Sequence, residues 1–197
     1  MLISERRVMR TGTEILYLAS ASPRRKEILK KMGIPFKVIK SGYREESHSH
    51  LSPRALALRH ASGKARQALL PKNARFVLGA DTVVYARRQI LGKPKTMKEA
   101  FEMVSLISGK THEVFTGVAL WDRKLGKIKK SVSKTRVTVR KLSGEEIRNY
   151  ICRVNSLDKA GAYAIQLEPK IVTRIQGSYS NVVGLPEEAV RKILRQK

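Results

Sequence analysis

Asp81 stands inside the apolar run Arg75-Phe76-Val77-Leu78-Gly79-Ala80-Asp81-Thr82-Val83-Val84-Tyr85. An acid in such a run is expensive unless it has a partner. Gly79 and Ala80, just before it, let another backbone or a ligand come close. Asp81 could be a structural acid satisfied by backbone donors. It could also hold a divalent cation or take a proton from water. Glu45, with Glu46 beside it, is a second candidate acid, in a polar stretch where glutamates are commonly solvated. Lys64 and Lys93 are candidate phosphate ligands, and the turn Gly92-Lys93-Pro94 fixes one cation on a short rigid loop. Arg24, Arg25 and Lys26 follow Ser22-Pro23, a cap-plus-proline helix start. That is the wrong helix end for cations, because the dipole is positive there and free N–H groups point outward. A solvated charged turn would explain them, and so would a phosphate-bearing ligand.

These residue types support metal-assisted hydrolysis of a phosphoanhydride. Basic groups neutralise a polyphosphate, carboxylates hold a hard cation such as Mg²⁺, and one carboxylate activates water. Other chemistries find less support. His48, His50, His60 and His112 form no metal-ligand pattern, and no nucleophile with an identifiable base stands out. The Gly-rich P-loop signature is absent. The single cysteine, Cys152, excludes an internal disulfide framework and a Cys-rich zinc site, and it reads as a small core residue of a helix.

The elements that must position these groups follow from the hydrophobic pattern. Met1 to Glu14 is polar and unpatterned and reads as an extension. Ile15 to Ala19 is a short buried strand, followed by a helix from Pro23 that carries Ile28, Leu29 and Met32 on one face and meets Gly33 as its cap. Phe36 to Ile39 is a second strand, and Ser41 to Ser52 a polar loop. The helix from Pro53 to about Leu70 has a small-residue stripe, Ala57, Ala61, Ala65 and Ala68, suited to close packing. The Asp81 strand then returns through Ile90-Leu91. Thr96 with Glu99, and Ser143 with Glu146, are capping boxes opening helices to about Ile107 and Arg153. Glu113 to Trp121 and Lys127 to Arg140 are β segments around an Asp122–Gly126 turn. Gly161 to Gln166 and Lys170 to Ile175 read as strands, Gly177 to Gly184 as a loop, and Pro186 opens a last helix. The order suggests an α/β fold around a mixed sheet.

The 197 residues are about one domain's worth, with ordinary apolar content of 42%. No apolar run approaches the roughly 20 residues that span a bilayer, and the N-terminus has no apolar signal-peptide region. A cytoplasmic protein without a membrane partner is the expectation. The net charge of +25 fits an anionic partner or a solvated basic surface. Aromatics at 6% argue against a stacking platform for single strands. A non-enzymatic nucleic-acid-binding or division-regulating protein is the rival class. It predicts salt-sensitive binding to DNA or RNA and no pyrophosphate release.

Six motifs occur in order: Leu18-Ala19-Ser20-Ala21-Ser22-Pro23-Arg24-Arg25, Gly79-Ala80-Asp81-Thr82-Val83-Val84, Leu91-Gly92-Lys93-Pro94, Ser108-Gly109-Lys110-Thr111-His112, Asp158-Lys159-Ala160-Gly161-Ala162-Tyr163 and Gly177-Ser178-Tyr179-Ser180-Asn181-Val182-Val183-Gly184-Leu185-Pro186. Together they resemble the septum-formation-inhibitor Maf family of nucleoside triphosphate pyrophosphatases, over nearly everything from Ile15 onward. The resemblance implies a single catalytic domain over residues 15–197, with a two-lobed mixed-sheet α/β fold similar to that of inosine triphosphate pyrophosphatases and the site in the cleft. It implies release of pyrophosphate from a nucleoside triphosphate with a divalent metal, Mg²⁺ or Mn²⁺. It makes Asp81 the proton acceptor and a metal ligand, Glu45 a helper with the metal, and Ser20, Arg25, Lys64 and Lys93 phosphate contacts. Arg24, Thr82 and Gln166 match the dTTP/UTP-type members, a homodimer follows by analogy, and nucleic acid is not required. Two departures stand out. The family usually has Asp-Glu where this chain has Arg44-Glu45, and a glycine-containing turn where it has Leu167-Glu168-Pro169-Lys170.

Overall fold

The computed structural model describes residues 15–45 and 51–195; the 1–14 extension, Glu46, His48 and His50 lie outside them. The strands are β1 (Leu16–Leu18), β2 (Phe36–Val38), β3 (Phe76–Ala86), β4 (Gln89–Leu91), β5 (Thr111–Asp122), β6 (Lys127–Val139) and β7 (Val172–Gln176). The helices are α1 (Pro23–Lys31), α2 (Pro53–Arg66), α3 (Met97–Ile107), α4 (Gly144–Arg153), α5 (Tyr179–Val183) and α6 (Glu187–Arg195). One seven-stranded mixed sheet runs β2-β1-β3-β5-β6-β7, with β4 paired to β3. β1 is parallel to β2 and β3, whereas β5, β6 and β7 continue antiparallel.

The long strand β3 organises the sheet. β5 pairs with it from Phe76 to Tyr85. On its other side, β1 pairs only to Leu78 and β4 begins only at Val84. Between them, residues 79–83 face no strand on that side among the described residues. The sheet therefore has a window just beyond the C-terminal end of β1, the position at which ligands commonly enter open α/β sheets.

Alternation along β3 sends neighbouring side chains to opposite faces. Leu78 and Ala80 join an apolar cluster with Leu16, Leu18, Leu29 of α1 and Val190 and Ile193 of α6. Val84 and Ala86, further along that face, join a second cluster with Val104 and Ile107 of α3, Tyr150 and Ile151 of α4, and Tyr163. Thr82 lies between the two. The opposite face, with Val77, Gly79, Asp81 and Val83, belongs to α2. At two glycines the packing there is backbone on backbone. A Cβ on Gly79 would stand 2.2 Å from the Ala61 carbonyl oxygen, and one on Gly117 2.5 Å from that of Ala57. Ala57, Ala61 and Ala65 are fully buried, as the small-residue stripe requires.

Local signals held where a cap or a period set them. Ser143 and Glu146 form the complete reciprocal box. Thr96 caps Glu99 N–H, but the Glu99 carboxylate reaches Lys95 N–H rather than Thr96. Several expectations are corrected. α2 stops at Arg66, not Leu70, because the next residues turn away to bond the loop after β2: Gln67 carbonyl accepts from Gly42 N–H, and Leu69 N–H donates to the Lys40 carbonyl. Residues 161–166 are not a strand: Gly161 and Ala162 take left-handed φ angles, which break any ladder. A 3-10 turn, Pro169–Ile171, delays β7 to Val172. Within the expected 177–184 loop, Tyr179–Val183 is a helical turn capped by Ser178. Cys152 is exposed on α4, because Ile147, Tyr150 and Ile151 form its buried face.

Candidate active site

The window in the sheet opens into a cleft of about 990 Å³. Every residue given a site role from the sequence lines it: Ser20, Arg24, Arg25, Glu45, Lys64, Asp81, Thr82, Lys93 and Gln166. They arrive from separate elements, so their meeting is a property of the fold.

Asp81 faces α2 and is 6% exposed. Lys64, from the last turn of α2, places its Nζ 2.6 Å from Oδ1 of Asp81. The same Nζ lies 2.6 Å from Oε1 of Glu45. The expensive acid in the apolar strand thus has its partner, and that partner is shared. Glu45 reaches it because its loop is clamped to the end of α2. Ser41 Oγ donates to the Lys64 carbonyl at 3.0 Å and accepts from Tyr43 N–H at 3.2 Å. The Tyr43 ring lies over Gly63, where a Cβ would come within 2.2 Å of it. Partial burial pushes the Glu45 carboxyl upward, but attraction and hydrogen bonding from Lys64, with Lys93 and His60 adding, hold it below its ordinary range.

Arg25 occupies the other face. Its Nε donates to the Gly184 carbonyl at 2.9 Å, Nη1 to Ser20 Oγ at 3.0 Å and Nη2 to Thr82 Oγ1 at 3.3 Å. Burial draws its guanidinium below the ordinary value, and Asp81 opposes the shift. Thr82 Oγ1 lies 3.1 Å from Thr116 Oγ1, which donates to the Asn181 carbonyl at 2.9 Å. Asn181 in turn donates Nδ2 to the Val114 carbonyl and to Thr135 Oγ1. A polar chain therefore runs from the Gly177–Pro186 motif to the guanidinium. Ser22 makes no side-chain cap; instead its N–H donates to Ser20 Oγ. The first turn of α1 thus meets the cleft without a side-chain cap beside Arg24 and Arg25, which suits an anion. Lys93 is exposed at the cleft edge, and Gln166 is half-buried on the wall formed by residues 163–166.

A divalent metal can be judged from this donor set. Two hard carboxylate oxygens already converge on one cationic point, filled by the Lys64 ammonium. No group of three or more His, Cys, Asp or Glu side chains suited to a metal occurs among the described residues. Two carboxylates fit a hard ion that takes its remaining ligands from phosphate oxygens and water, as Mg²⁺ usually does. Arg44, where the related motif carries an acid, is exposed and adds no ligand oxygen.

Sequence reasoning missed Tyr43, Thr116, Asn181 and the buried pair His112–Tyr163. Gly63 inside a helix was the one local signal for Tyr43; His112, Tyr163 and Asn181 fall within the quoted motifs, but their contacts, like those of Thr116, depend on long-range packing.

No helix among the described residues is long and apolar enough to cross a membrane. The sequence profile of Maf-like proteins matches residues 15–197. A protein of Citrifermentans bemidjiense named dTTP/UTP pyrophosphatase is 45% identical over 172 residues, covering 87% of this chain and 89% of that one. Proteins of the same name from Bacillus anthracis and Bacillus cytotoxicus are 43% and 45% identical over 92% and 91% of this chain. The solved structure of a HAM1 protein from Coxiella burnetii shares the fold, with a TM-score of 0.50 at 15% identity over 93% of this chain and all of that one. With the profile matching residues 15–197 and these relatives 43–45% identical over about nine-tenths of the chain, the protein belongs to the Maf-like family.

Proposed function

We propose that this protein hydrolyses dTTP and UTP to the nucleoside monophosphate and pyrophosphate with the help of a divalent metal. The observation that carries the proposal is the convergence of Asp81, Glu45, Lys64 and Arg25 on one cleft, from four separate elements. The name shared by relatives 43–46% identical supports the pyrimidine substrates.

The geometry and the family resemblance support the following roles. Ser20, Arg25, Lys64 and Lys93 line the cleft on both sides of the β3 window, where a triphosphate chain would meet cations from each side. The capless first turn of α1 adds backbone N–H groups. Asp81 is the general base: its carboxylate takes a proton from the water that attacks the α-phosphorus, and pyrophosphate departs. Glu45 and Asp81 would hold the metal, which when bound supplies neutralisation of phosphate charge. Once substrate phosphates enter, Lys64 is free to leave the carboxylates and bind them. Arg24, Thr82 and Gln166 favour a pyrimidine nucleotide. Thr82 contributes through Arg25, whose Nη2 it accepts.

A panel of nucleoside triphosphates, assayed with Mg²⁺ or Mn²⁺ for pyrophosphate, tests the reading. dTTP and UTP should lead the panel. Hydrolysis led by a purine nucleotide would reject the pyrimidine assignment, and no pyrophosphate from any nucleotide would reject the activity. Tight, salt-sensitive nucleic-acid binding in its place would favour the rival class.

A further inference from the structure

His112 opens the buried part of β5 and plays no part in the chemistry above. It is 2% exposed, and its Nε2 lies 2.8 Å from Tyr163 Oη. The two rings meet edge to face, with centroids 4.9 Å apart and planes at 88°. Burial holds the imidazole down to about 4, so it is neutral at physiological pH. Its Nδ1 has no hydrogen-bond partner among the described residues. Protonation on Nε2 leaves only a lone pair unmatched there, whereas the other tautomer would bury an orphan N–H. His112 is therefore assigned as the donor and the Tyr163 oxygen as the acceptor.

The segment that Tyr163 opens has unusual support. Residues 163–166 line the cleft but belong to no strand. The preceding Gly161 and Ala162 take left-handed φ angles of +68° and +58°. Tyr163, Ala164 and Ile165 are buried in the cluster with α3 and α4, and a few hydrogen bonds tie the segment to its neighbours. Ala164 N–H donates to Tyr150 Oη at 2.9 Å, Gly161 N–H donates to the Gly92 carbonyl at 2.9 Å, and His112 holds Tyr163. A wall without a ladder takes its shape from such anchors. Asp81, Glu45 and Lys64 stand elsewhere, on β3, on the clamped loop and on α2.

We propose that His112 is a positioning residue for nucleotide binding, acting by fixing Tyr163 and, with it, the cleft wall Tyr163–Gln166 against which the nucleoside part of the substrate rests. This rests on the nucleoside triphosphate reading of the cleft. His112 touches no substrate. Its loss should therefore weaken binding and leave the chemical step in place, a KM effect with kcat retained.

The test uses steady-state dTTP hydrolysis by the wild-type chain, His112→Ala, His112→Gln, Tyr163→Phe and the His112→Ala/Tyr163→Phe double variant, with thermal melting of each. The account predicts a KM raised about tenfold in His112→Ala and in Tyr163→Phe, with kcat within about twofold. The double variant should be no worse than either single one, since both break the same bond. His112→Gln, which keeps an N–H donor, should return KM to within about threefold of wild type. Tyr163→Phe removes one oxygen atom and keeps the ring, so it reads the bond even if His112→Ala fails to fold. An unchanged KM in Tyr163→Phe, or a fall in kcat at constant KM, would overturn the proposal while leaving the activity intact. A wild-type chain that releases no pyrophosphate would instead overturn the activity, and this inference with it.

Discussion

The Lys64 ammonium lies 2.6 Å from carboxylate oxygens of both Glu45 and Asp81. Neutralising two acids with one lysine leaves a net negative point in a cleft otherwise rich in cations. Removing that lysine should make the pair a better cation site. Lys64→Met is expected to bind Mn²⁺ at least about tenfold more tightly than wild type when no nucleotide is present, a gain of about 1.4 kcal/mol. Titration followed by electron paramagnetic resonance of free Mn²⁺ reads this directly. Unchanged or weaker binding would show that the two carboxylates do not form the metal's seat. At this scale the sequence was legible where a residue broke a local rule. Asp81 announced itself as an acid in an apolar strand, and Arg24 and Arg25 as cations at the wrong helix end. Glu45 gave no such signal, because what fixes it is the Tyr43 ring over Gly63 and the Ser41 bonds. Thr82 was named only through the family resemblance, and its bonds to Arg25 and Thr116 depend on three elements meeting.

Helix α2 is the element on which the site turns, since Lys64 and the clamp for Glu45 both belong to its end. It comes backbone to backbone against β3 at Gly79 and β5 at Gly117, and the Ala57, Ala61 and Ala65 stripe announced that close approach in the sequence. Which glycines would lie beneath it was not legible, as that requires the register of β3 against β5. A methyl group on Gly79 would meet the Ala61 carbonyl and the Ala65 nitrogen, both backbone atoms that cannot swing aside. Gly79→Ala is therefore expected to destabilise the protein by about 2 kcal/mol or more. It should also lower turnover beyond any loss of folded protein, since lifting α2 moves Lys64 from Asp81. Denaturant melts with activity per folded molecule check both. A variant of wild-type stability and activity would contradict the packing. The strand expected over residues 161–166 failed for a related reason. Its apolar run is real, and Tyr163, Ala164 and Ile165 are buried. The run packs as an irregular wall hung on Tyr150 and His112, and periodicity over six residues cannot tell that from a strand.

At the scale of the whole molecule, two apolar clusters sit at opposite ends of one sheet face, and the cleft opens between them, with Val84, Leu91 and Tyr163 of one cluster in its wall. The alternation of helices and strands made the α/β class legible. The window between β1 and β4 was not, because it is set by where two short strands stop. The same arrangement buries His112, which gives the stability of the whole chain a pH signature. Its folded value of about 4 lies below the ordinary 6.5. Between these values the unfolded chain binds a proton that the folded chain refuses. The contribution is thus fully present above about pH 6.5 and lost as pH falls toward about 4. At about 1.4 kcal/mol per pH unit, the loss comes to about 3 kcal/mol. The His112→Gln variant, which cannot titrate there, should lose less stability by about that amount over the same range. Parallel stability curves from denaturant melts would contradict it.

The charge of +25 suits an anionic substrate and equally a basic surface, so charge alone does not choose between them. The Asp81 carboxylate is the better discriminator, since the proposed hydrolysis needs it as a base. The most direct measurement compares wild type with Asp81→Asn for pyrophosphate and dTMP released from dTTP with Mg²⁺, both proteins being shown folded by thermal melting. The account predicts equal amounts of the two products from wild type and a loss of turnover of about a hundredfold or more in the variant. Turnover undiminished in a folded Asp81→Asn protein would contradict it.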